Sequence, residues 1–361
     1  MKKIVFFIER LSTGGAERVV STLANEISKS KNYEVYVITY LKKEMNEYQL
    51  SKNVHRIEII KPNGGRFSTI YNKYLQIKDI VKELNPFCVF SLAIPKTNAV
   101  LMAALWRRNF PLIISERNDP NRFPAKKSMK MLRNFIYKRC DGIVFQTPGA
   151  RDYFKDILKC KTTVVPNPIS TNLPKRYEGT REKNIVNFCR IEPQKNIKLL
   201  IYAFSDVDSN LIDYTLEIYG EGSQKKELEE YVNKKNLDNR VIFHGYSSNI
   251  HEKILKAGLF VSSSNYEGIS NSMLESMSIG IPTICTDCPP GGAKSIINNG
   301  ENGILVPVGD AKKMTEAINL VLNNKLLQDE LSKNASKISL MLQPKIIARR
   351  WLNFMEGVNQ L

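Results

Sequence analysis

The chain has 361 residues, of which 42% are apolar, and a formal net charge of +17. This length is enough for two domains of ordinary size, and the apolar content can fill a core in each, so the composition indicates a globular protein. The first apolar run ends at Glu9 and Arg10, too early for a signal peptide, and the longest other run, Ala99 to Trp106, is far shorter than a membrane span. We therefore expect a cytoplasmic protein.

The six cysteines are interpreted as reduced core residues, because disulfides are rare in the cytoplasm. Cys285 and Cys288 have the spacing of half a zinc site, but the sequence has no second cysteine pair to complete the site, so we expect no metal there. Asp206-Val207-Asp208 resembles a metal-binding motif, yet it falls at a predicted helix end and is interpreted as a solvated cap. The six cysteines of the chain are Cys88, Cys140, Cys160, Cys189, Cys285 and Cys288.

The first half of the chain alternates strand and helix patterns. Such alternation predicts an α/β fold with a doubly wound parallel sheet. Between the first strand and the first helix lie Gly14 and Gly15, where the backbone can approach a phosphate closely or simply make a tight turn. Asn63-Gly64-Gly65 marks a loop. The predicted strands are 4–8, 34–39, 54–60, 88–91, 112–115, 142–146 and 163–165, and the predicted helices are 16–30, 68–84, 97–107 and 148–158.

The positive charge belongs to this first half. Residues 1–170 hold 30 Lys and Arg against 14 Asp and Glu. Within it, 122–139 carries seven basic residues and no acid, interleaved with apolar residues, which suits a solvated helix face or an interfacial helix on an anionic membrane. Nucleic acid is the other polyanion to consider, but no recognition motif accompanies the charge, so we favour the membrane. The predicted membrane residues are Arg122, Lys126, Lys127, Lys130 and Arg133.

A proline-rich segment, 166–183, lacks periodicity and is interpreted as a hinge, after which a fresh strand and helix alternation begins. We therefore predict one Rossmann-like domain at 1–168 and a second at 169–343, followed by a terminal helix in 344–361. The predicted strands of the second domain are 185–189, 214–219, 241–244, 259–261 and 282–285, and its predicted helices are 197–205, 224–235, 250–257 and 271–279, with helices only from 311 on.

Two loops of the second half carry charged groups at strand ends. After one strand, Arg190 and Lys195 precede Asn196 and a helix, so both cations can meet a diphosphate or remain surface charges. After a later strand, Glu267 precedes Gly268, and the amides of Gly268, Ile269 and Ser270 lie where a helix start can receive an anion. Glu275 follows on that helix. Since Ser272 to Glu275 also reads as a capping box, a purely structural role stays open.

These two motifs resemble the family-four retaining glycosyltransferases, which have two facing Rossmann-like domains, the GT-B architecture. The resemblance rests on the Arg-x-x-x-x-Lys-Asn segment and on the two glutamates with seven residues between them, a Gly after the first and a Gly-x-Pro beyond. It implies that Arg190 and Lys195 bind the nucleotide diphosphate. It further implies that Glu267 sits by the donor sugar and that Glu275 holds the ribose hydroxyls.

The same resemblance assigns roles to weaker signals. The glycine pair followed by Ala-Glu-Arg matches the family loop that faces the donor diphosphate and the acceptor. The Gly220 and Gly222 turn would lie under the nucleotide, and the segment with His244 and Tyr246 would hold the base. From its own composition, the Pro/Gly loop from Cys288 to Gly292 is expected near the donor or acceptor sugar. In this family the terminal helix crosses back to pack on the first domain.

One departure from the family pattern lies in the loop after the strand at 112–115. Many members carry there a histidine that touches the donor sugar, whereas this loop reads Ser115-Glu116-Arg117-Asn118-Asp119-Pro120. Glu116, Arg117, Asn118 or Asp119 is expected to contact the sugar or the acceptor instead.

The predicted function is transfer of a hexose from a UDP-sugar, with retention and without a metal, to a lipid-diphosphate-linked saccharide in surface polysaccharide assembly. The UDP-sugar is a co-substrate, and no other cofactor is expected. The predicted location is peripheral, on the anionic inner face of the cell membrane. A nucleotide-sugar epimerase of the same fold, acting without an acceptor, and a basic nucleic-acid-binding protein are the alternatives.

Overall fold

The computed structural model describes residues 1–12, 14–60 and 65–360, so Asn63 and Gly64 of the predicted loop lie outside it. The strands of this described part form two parallel sheets. They are β1 Lys2–Ile8, β2 Tyr33–Thr39, β3 Val54–Glu58, β4 Cys88–Ser91, β5 Leu112–Glu116, β6 Gly142–Phe145, β7 Lys161–Val164, β8 Asn184–Phe188, β9 Thr215–Tyr219, β10 Val241–Gly245, β11 Leu259–Ser262, β12 Thr283–Thr286 and β13 Ile304–Val306.

The helices connect the strands and cover both faces of the sheets. They are α1 Gly15–Ile27, α2 Arg66–Leu84, α3 Pro95–Ala104, α4 Lys127–Tyr137, α5 Pro148–Tyr153, α6 Ile197–Ser205, α7 Lys225–Lys234, α8 Ile250–Ile254, α9 Asn271–Ser278, α10 Ala311–Asn323, α11 Lys325–Ser336, α12 Ile338–Met341 and α13 Pro344–Asn359. Two short 3-10 turns lie at Pro193–Lys195 and Ser209–Leu211.

The chain divides into two compact units, one of Met1–Pro168 with Pro344–Leu361 and one of Ile169–Gln343. The first holds a seven-stranded sheet in the order β3-β2-β1-β4-β5-β6-β7, and the second a six-stranded sheet in the order β10-β9-β8-β11-β12-β13. Every strand pairs parallel with its neighbours. The predicted α/β class with two doubly wound parallel sheets is therefore confirmed.

Burial on both faces explains why the central strands are uninterrupted apolar runs. In β1, residues 4–8 are fully buried, and β4, β5 and β6 are buried along their whole length. In the second unit, α6, α7 and α10 pack together on one face of the sheet, while α9 contacts α11 and α12.

The last helix belongs to the first unit. The apolar face of α13 carries Ile347, Trp351 and Met355, which are spaced four residues apart and buried. This face lies against α1, and the Trp351 ring meets Phe90 of β4 edge-on, with ring centroids 5.2 Å apart.

Two local predictions differ from the structure. The short strand β13 was not predicted, because a run of three apolar residues is too short to show the periodicity of a strand. The basic segment at 122–139 is helical only over α4, since Pro120 and Pro124 hold the residues before them out of the helical region.

Candidate active site

The two predicted donor loops are neighbours at one edge of the second sheet. Strand β8 pairs with β9 on one side and β11 on the other, so the chain reverses its winding direction between β8 and β11. In open parallel sheets such a switch point leaves a crevice at the carboxyl ends of the two strands. The loop from Arg190 to Asn196 follows β8, and the loop from Ser263 to Ser270 follows β11.

Hydrogen bonds tie these loops together. The Asn265 amide donates to the Gln194 carbonyl (2.8 Å), and the Ser263 hydroxyl lies within bonding distance of the Lys195 and Asn196 carbonyls (3.0 and 2.9 Å). Asn196 adopts a left-handed conformation (φ 46°) between the 3-10 turn and α6, and its side-chain amide donates to Asn265 Oδ1 (3.0 Å). Asparagine tolerates this conformation well, which gives a physical reason for the Lys-Asn pair.

At the centre of the two loops, the Lys195 ammonium forms an ion pair with the Glu267 carboxylate. Both side chains are largely buried, with 13% and 21% of their surface exposed. Burial lowers the pKa of Lys195, but the charge of Glu267, its hydrogen bond to the ammonium and the nearby Cys189 together outweigh burial, and the pKa is raised. The lysine is therefore a cation at neutral pH. Gln194 Nε2 donates to the Tyr266 carbonyl (2.9 Å) and lies 3.4 Å from Glu267 Oε2.

Arg190 differs from Lys195 in its exposure. It lies two residues after the end of β8 and is exposed, and within the described residues no hydrogen bond or ion pair holds its guanidinium. A charge-bearing arginine without an internal partner is available for an anion.

The Gly268 to Ser270 segment leads into α9. Ser270 is the N-cap residue, and its hydroxyl accepts a hydrogen bond from the Met273 amide (3.4 Å). The Pro/Gly loop after β12 lies against this turn, because the Glu267 amide donates to the Pro289 carbonyl (3.0 Å) and a Cβ at Gly292 would overlap the Gly268 carbonyl. The Pro/Gly loop therefore supports the turn that carries Glu267.

Glu275 is buried in α9, and its Oε2 lies 2.9 Å from Nε2 of His251 on α8. The capping-box interpretation of Ser272 to Glu275 is wrong, because α9 is capped two residues earlier, by Ser270, and the carboxylate faces His251 instead. Sequence reasoning missed His251, since its contact with Glu275 depends on how α8 and α9 pack.

The glycine turn after β9 has a packing role. A Cβ at Gly220 would overlap the Cys189 carbonyl, and one at Gly222 would overlap the Ile191 carbonyl. The Ile191 amide also donates a hydrogen bond to the Glu221 carbonyl (2.9 Å). These glycines thus let the β9 turn lie against the loop that carries Arg190. Their contact with a nucleotide stays a prediction.

His244 and Tyr246 lie at the end of β10, the edge strand of the second sheet. The His244 ring stacks on Tyr219, with centroids 4.5 Å apart, and its Nε2 lies 3.4 Å from Glu217 Oε2. Tyr246 is exposed. The His244 ring is occupied by its own sheet, whereas the Tyr246 ring is accessible to a base.

In the first unit, Gly14 and Gly15 begin α1. The Gly14 carbonyl accepts from the Arg18 amide (3.2 Å), and a Cβ at Gly14 would overlap the Glu17 carboxylate. An acid in the first turn of a helix is favourable to the helix dipole, but it opposes a phosphate at the same place. A phosphate role for this glycine pair therefore requires the Glu17 side chain to turn away.

Two of the four candidate ligand contacts in the loop after β5 are buried. Glu116 is buried and cannot touch a sugar, because its carboxylate accepts from the Arg117 and Asn118 amides (2.9 and 3.1 Å) and from the Tyr137 hydroxyl (3.0 Å). Burial raises its pKa, against the lowering by the Asn118 amide. Asp119 is buried as well and accepts from the Asn121 amide.

Arg117 is half-buried and bonded to Asn167, and burial lowers its pKa to about 9 despite the nearby Glu116. Asn118 is exposed. Of the four candidates in this loop, Asn118 is thus the one whose side chain is accessible to a ligand.

One of the five predicted membrane residues in the basic segment at 122–139 is buried. Arg133 is fully buried, donates to the carbonyls of Pro120 and Phe123 (both 2.9 Å), and lies over the Phe154 ring. It therefore holds the turn before α4 and is not a membrane residue. The other four residues, Arg122, Lys126, Lys127 and Lys130, keep exposed or half-exposed side chains.

Exposed aromatic residues adjoin Arg139, the last basic residue of the 122–139 segment. Phe135 of α4 and Trp106 are about half exposed, and the Arg139 guanidinium lies over both rings, at 4.8 and 4.4 Å from their centroids. Sequence reasoning missed Trp106, which lies in a different segment. We define the basic-aromatic surface by Arg122, Lys126, Lys127, Lys130, Phe135, Arg139 and Trp106. None of the described helices is long and apolar enough to cross a bilayer.

The described residues contain no group of three His, Cys, Asp or Glu side chains arranged for a metal ion. Asp208 accepts hydrogen bonds from the amides of Asn319 and Asn323 (2.7 and 2.8 Å), which is a structural role. Cys285 and Cys288 are buried thiols behind the loop of Glu267.

Comparisons with known proteins agree with the fold. Residues 13–173 match the family described as Glycosyltransferase Family 4, and residues 170–338 match Glycosyl transferases group 1. The structure of Anabaena Alr3699/HepE in complex with UDP-glucose has a TM-score of 0.82 and 17% identity, over 99% of this chain and 100% of that one.

Two relatives are similar along the whole chain. The Campylobacter jejuni alpha-1,4-N-acetyl-D-galactosaminyltransferase named for GalNAc-GalNAc-diNAcBac-PP-undecaprenol is 29% identical over 99% of each chain. The amylovoran biosynthesis glycosyltransferase AmsD of Erwinia amylovora is 24% identical over 97% of this chain and 99% of that protein. Fold and sequence together define a glycosyltransferase of the GT-B class. The chain belongs to glycosyltransferase family four.

Proposed function

We propose that this glycosyltransferase moves a hexose from a UDP-sugar, with retention of configuration, to a lipid-diphosphate-linked saccharide during surface polysaccharide assembly. The observation that carries the proposal is the Lys195–Glu267 ion pair at the β8–β11 switch point, beside the exposed Arg190. It supplies two cations for a diphosphate and one carboxylate for a sugar hydroxyl, all on loops joined by hydrogen bonds.

The chemical difficulty of the reaction is the negative charge that grows on the departing UDP. Arg190 and Lys195 would neutralise it, and the amino end of α9 adds a partial positive charge. An ammonium has three donor hydrogens, so Lys195 can keep its bond to Glu267 and still donate to a phosphate oxygen. No metal ion is needed in this scheme.

The ion pair also bears on the stereochemistry. A carboxylate held against an ammonium is a weak nucleophile, so Glu267 is better suited to orient the hexose than to attack it. The acceptor hydroxyl would then attack on the face that UDP leaves and pass its proton to a phosphate oxygen. This route requires no covalent enzyme intermediate and gives retention.

The acceptor assignment rests on the relatives and on surface chemistry. The Campylobacter relative is named for an undecaprenol-linked diphosphate saccharide. The basic-aromatic surface of this chain suits an anionic bilayer, because cations attract lipid headgroups and aromatic rings settle at the interface. We infer that the protein works peripherally on the inner face of the cell membrane.

The test is to incubate the full chain with each of several UDP-hexoses and an undecaprenyl-diphosphate-linked saccharide, without divalent metal. We expect an elongated acceptor from one donor, with the anomeric configuration of the donor kept when read by NMR. An inverted linkage or a strict metal requirement would contradict the mechanism. Epimerised UDP-sugar without acceptor would support the epimerase, and DNA affinity without UDP binding would support the nucleic-acid alternative.

A further inference from the structure

Two thiols of the first unit lie in contact at the amino ends of β6 and β7. Cys140 precedes β6 and Cys160 precedes β7, and these neighbouring strands pair parallel with Gly142 opposite Lys161. The register brings the two cysteines together although 20 residues separate them, and their sulfur atoms are 4.0 Å apart. Among the described residues, no other two cysteine sulfur atoms lie within hydrogen-bonding distance of each other.

The pair opens onto a cavity of about 740 Å³. Both cysteines line this cavity, together with Trp106, Arg108, Lys138 and Lys159. Cys140 is buried and Cys160 is half-buried, so a small reagent can reach the second sulfur first. Asp141 also lines the cavity and forms an ion pair with Arg108, whereas Lys138 and Lys159 keep the charge of the lining net positive.

The two thiols have different acidities. The hydrogen bond between the two thiols lowers the pKa of Cys160, with burial opposing, whereas burial raises the pKa of Cys140 well above its usual value. Cys160 is therefore the more acidic of the two thiols. The Cys140 thiol also donates to the Tyr137 carbonyl (3.2 Å). The half-buried Cys189 of the second unit is a contrast, because burial raises its pKa to about 11.

We propose that Cys140 and Cys160 are an oxidative modification site at which a peroxide forms an intrachain disulfide. The Cys160 thiolate attacks one peroxide oxygen, the O–O bond breaks, and hydroxide leaves to take up the proton that Cys160 released. Cys140 then attacks the Cys160 sulfur, the S–O bond breaks, and the departing hydroxide takes the Cys140 proton. Two thiols and one hydrogen peroxide give one disulfide and two waters, and a dithiol reverses the change.

The disulfide would have a defined mechanical effect. Cys140 follows the last turn of α4, so the bond would fix the end of that helix to the start of β7. Arg139, which is the next residue to Cys140, lies between Trp106 and Phe135 of the basic-aromatic surface. The proposal does not depend on the sugar donor or on the acceptor.

The experiment is to expose the reduced, full-length protein to equimolar hydrogen peroxide, block the remaining thiols, and map peptides by mass spectrometry without reductant. We expect a cross-linked pair of Cys140 and Cys160 peptides, lighter by two hydrogen atoms than the separate peptides, that disappears after dithiothreitol. Iodoacetamide should alkylate Cys160 at least tenfold faster than Cys189 at neutral pH.

Two variants separate the roles of the thiols. In Cys140→Ser, we expect peroxide to leave Cys160 as sulfenic acid or a higher oxide, trapped by dimedone, with no cross-link. In Cys160→Ser, Cys140 should stay unmodified at the same dose. A cross-link that joins other cysteines, or an equal oxidation of Cys160 and Cys189, would overturn the proposal.

Discussion

The Lys195 ammonium and the Glu267 carboxylate, which are 72 residues apart in the chain, form an ion pair between the loops that follow β8 and β11. Neither loop makes the site alone. The pair exists because the strand order reverses at these two strands and because Asn196 and Asn265 join their loops. The same pair sets the electrostatics of the proposed donor site, since it leaves Arg190 as the accessible charge.

Replacing Lys195 by alanine should abolish most of the transfer while the protein still folds. Loss of one preorganised cation at the leaving group typically lowers kcat by about 10²–10³. The measurement is kcat at saturating UDP-sugar, with circular dichroism to follow the fold. Lys198→Ala is the matched control, because this lysine is exposed on the next helical turn. Full activity of the Lys195 variant would remove our donor-site assignment.

Replacing His251 by alanine should weaken donor binding more than it slows the chemistry. A hydrogen bond to a buried carboxylate contributes about 1.5 kcal/mol or more, so loss of the His251 contact with Glu275 should raise the KM for UDP-sugar about tenfold. If Glu275 grips the ribose equally in the ground and transition states, kcat stays within about twofold. His55→Ala, at an exposed site in the first unit, serves as control. An unchanged KM would argue against a ribose role for Glu275.

Replacing Arg133 by leucine should destabilise the first unit. Two carbonyls would lose their buried donor, which costs roughly 3 kcal/mol in the free energy of unfolding, and chemical denaturation would measure it. Lys127→Leu, at an exposed position of the same helix, should change the stability by less than about 0.5 kcal/mol. Equal stability of the two variants would contradict the structural role of Arg133.

Reversing Lys126, Lys127 and Lys130 to glutamate should release the protein from anionic vesicles. Each cation near the surface contributes about 1 kcal/mol, so affinity for phosphatidylglycerol vesicles in a sedimentation assay should fall at least tenfold. Trp106→Ala should lower it further without changing its salt dependence. Reversing the exposed Lys333 and Lys337 of the second unit should have no comparable effect. Unchanged binding of the triple variant would exclude this surface.

Glu116→Gln should alter the pH dependence of stability. Because burial raises the pKa of Glu116, its contribution to stability is present below the unfolded-state pKa of about 4.3 and is lost as the pH rises through the folded-state pKa. The glutamine variant lacks this loss, so its free energy of unfolding relative to the parent should rise from about pH 4 to pH 7. Urea unfolding at several pH values measures it, with the exposed Glu83→Gln as control. A parallel pH profile for parent and variant would refute the assignment.

Local patterns determined much of the architecture before any coordinates. Uninterrupted apolar runs such as Ile4 to Ile8 predicted buried parallel strands, because only a sheet covered on both faces buries such a run. The segment from Arg190 to Asn196 indicated a cation loop at a strand end. These features were readable because strand and helix periods depend on neighbouring residues.

Only the tertiary structure decided which side chains meet. Within one basic segment it buried Arg133 and left Lys127 exposed, and it turned Glu275 toward His251 and Glu116 into the interior. It also brought Cys140 to Cys160. The physical reason is that these contacts depend on strand order and helix packing, which join residues distant in the chain, whereas charge and hydropathy along the sequence describe each residue only beside its neighbours.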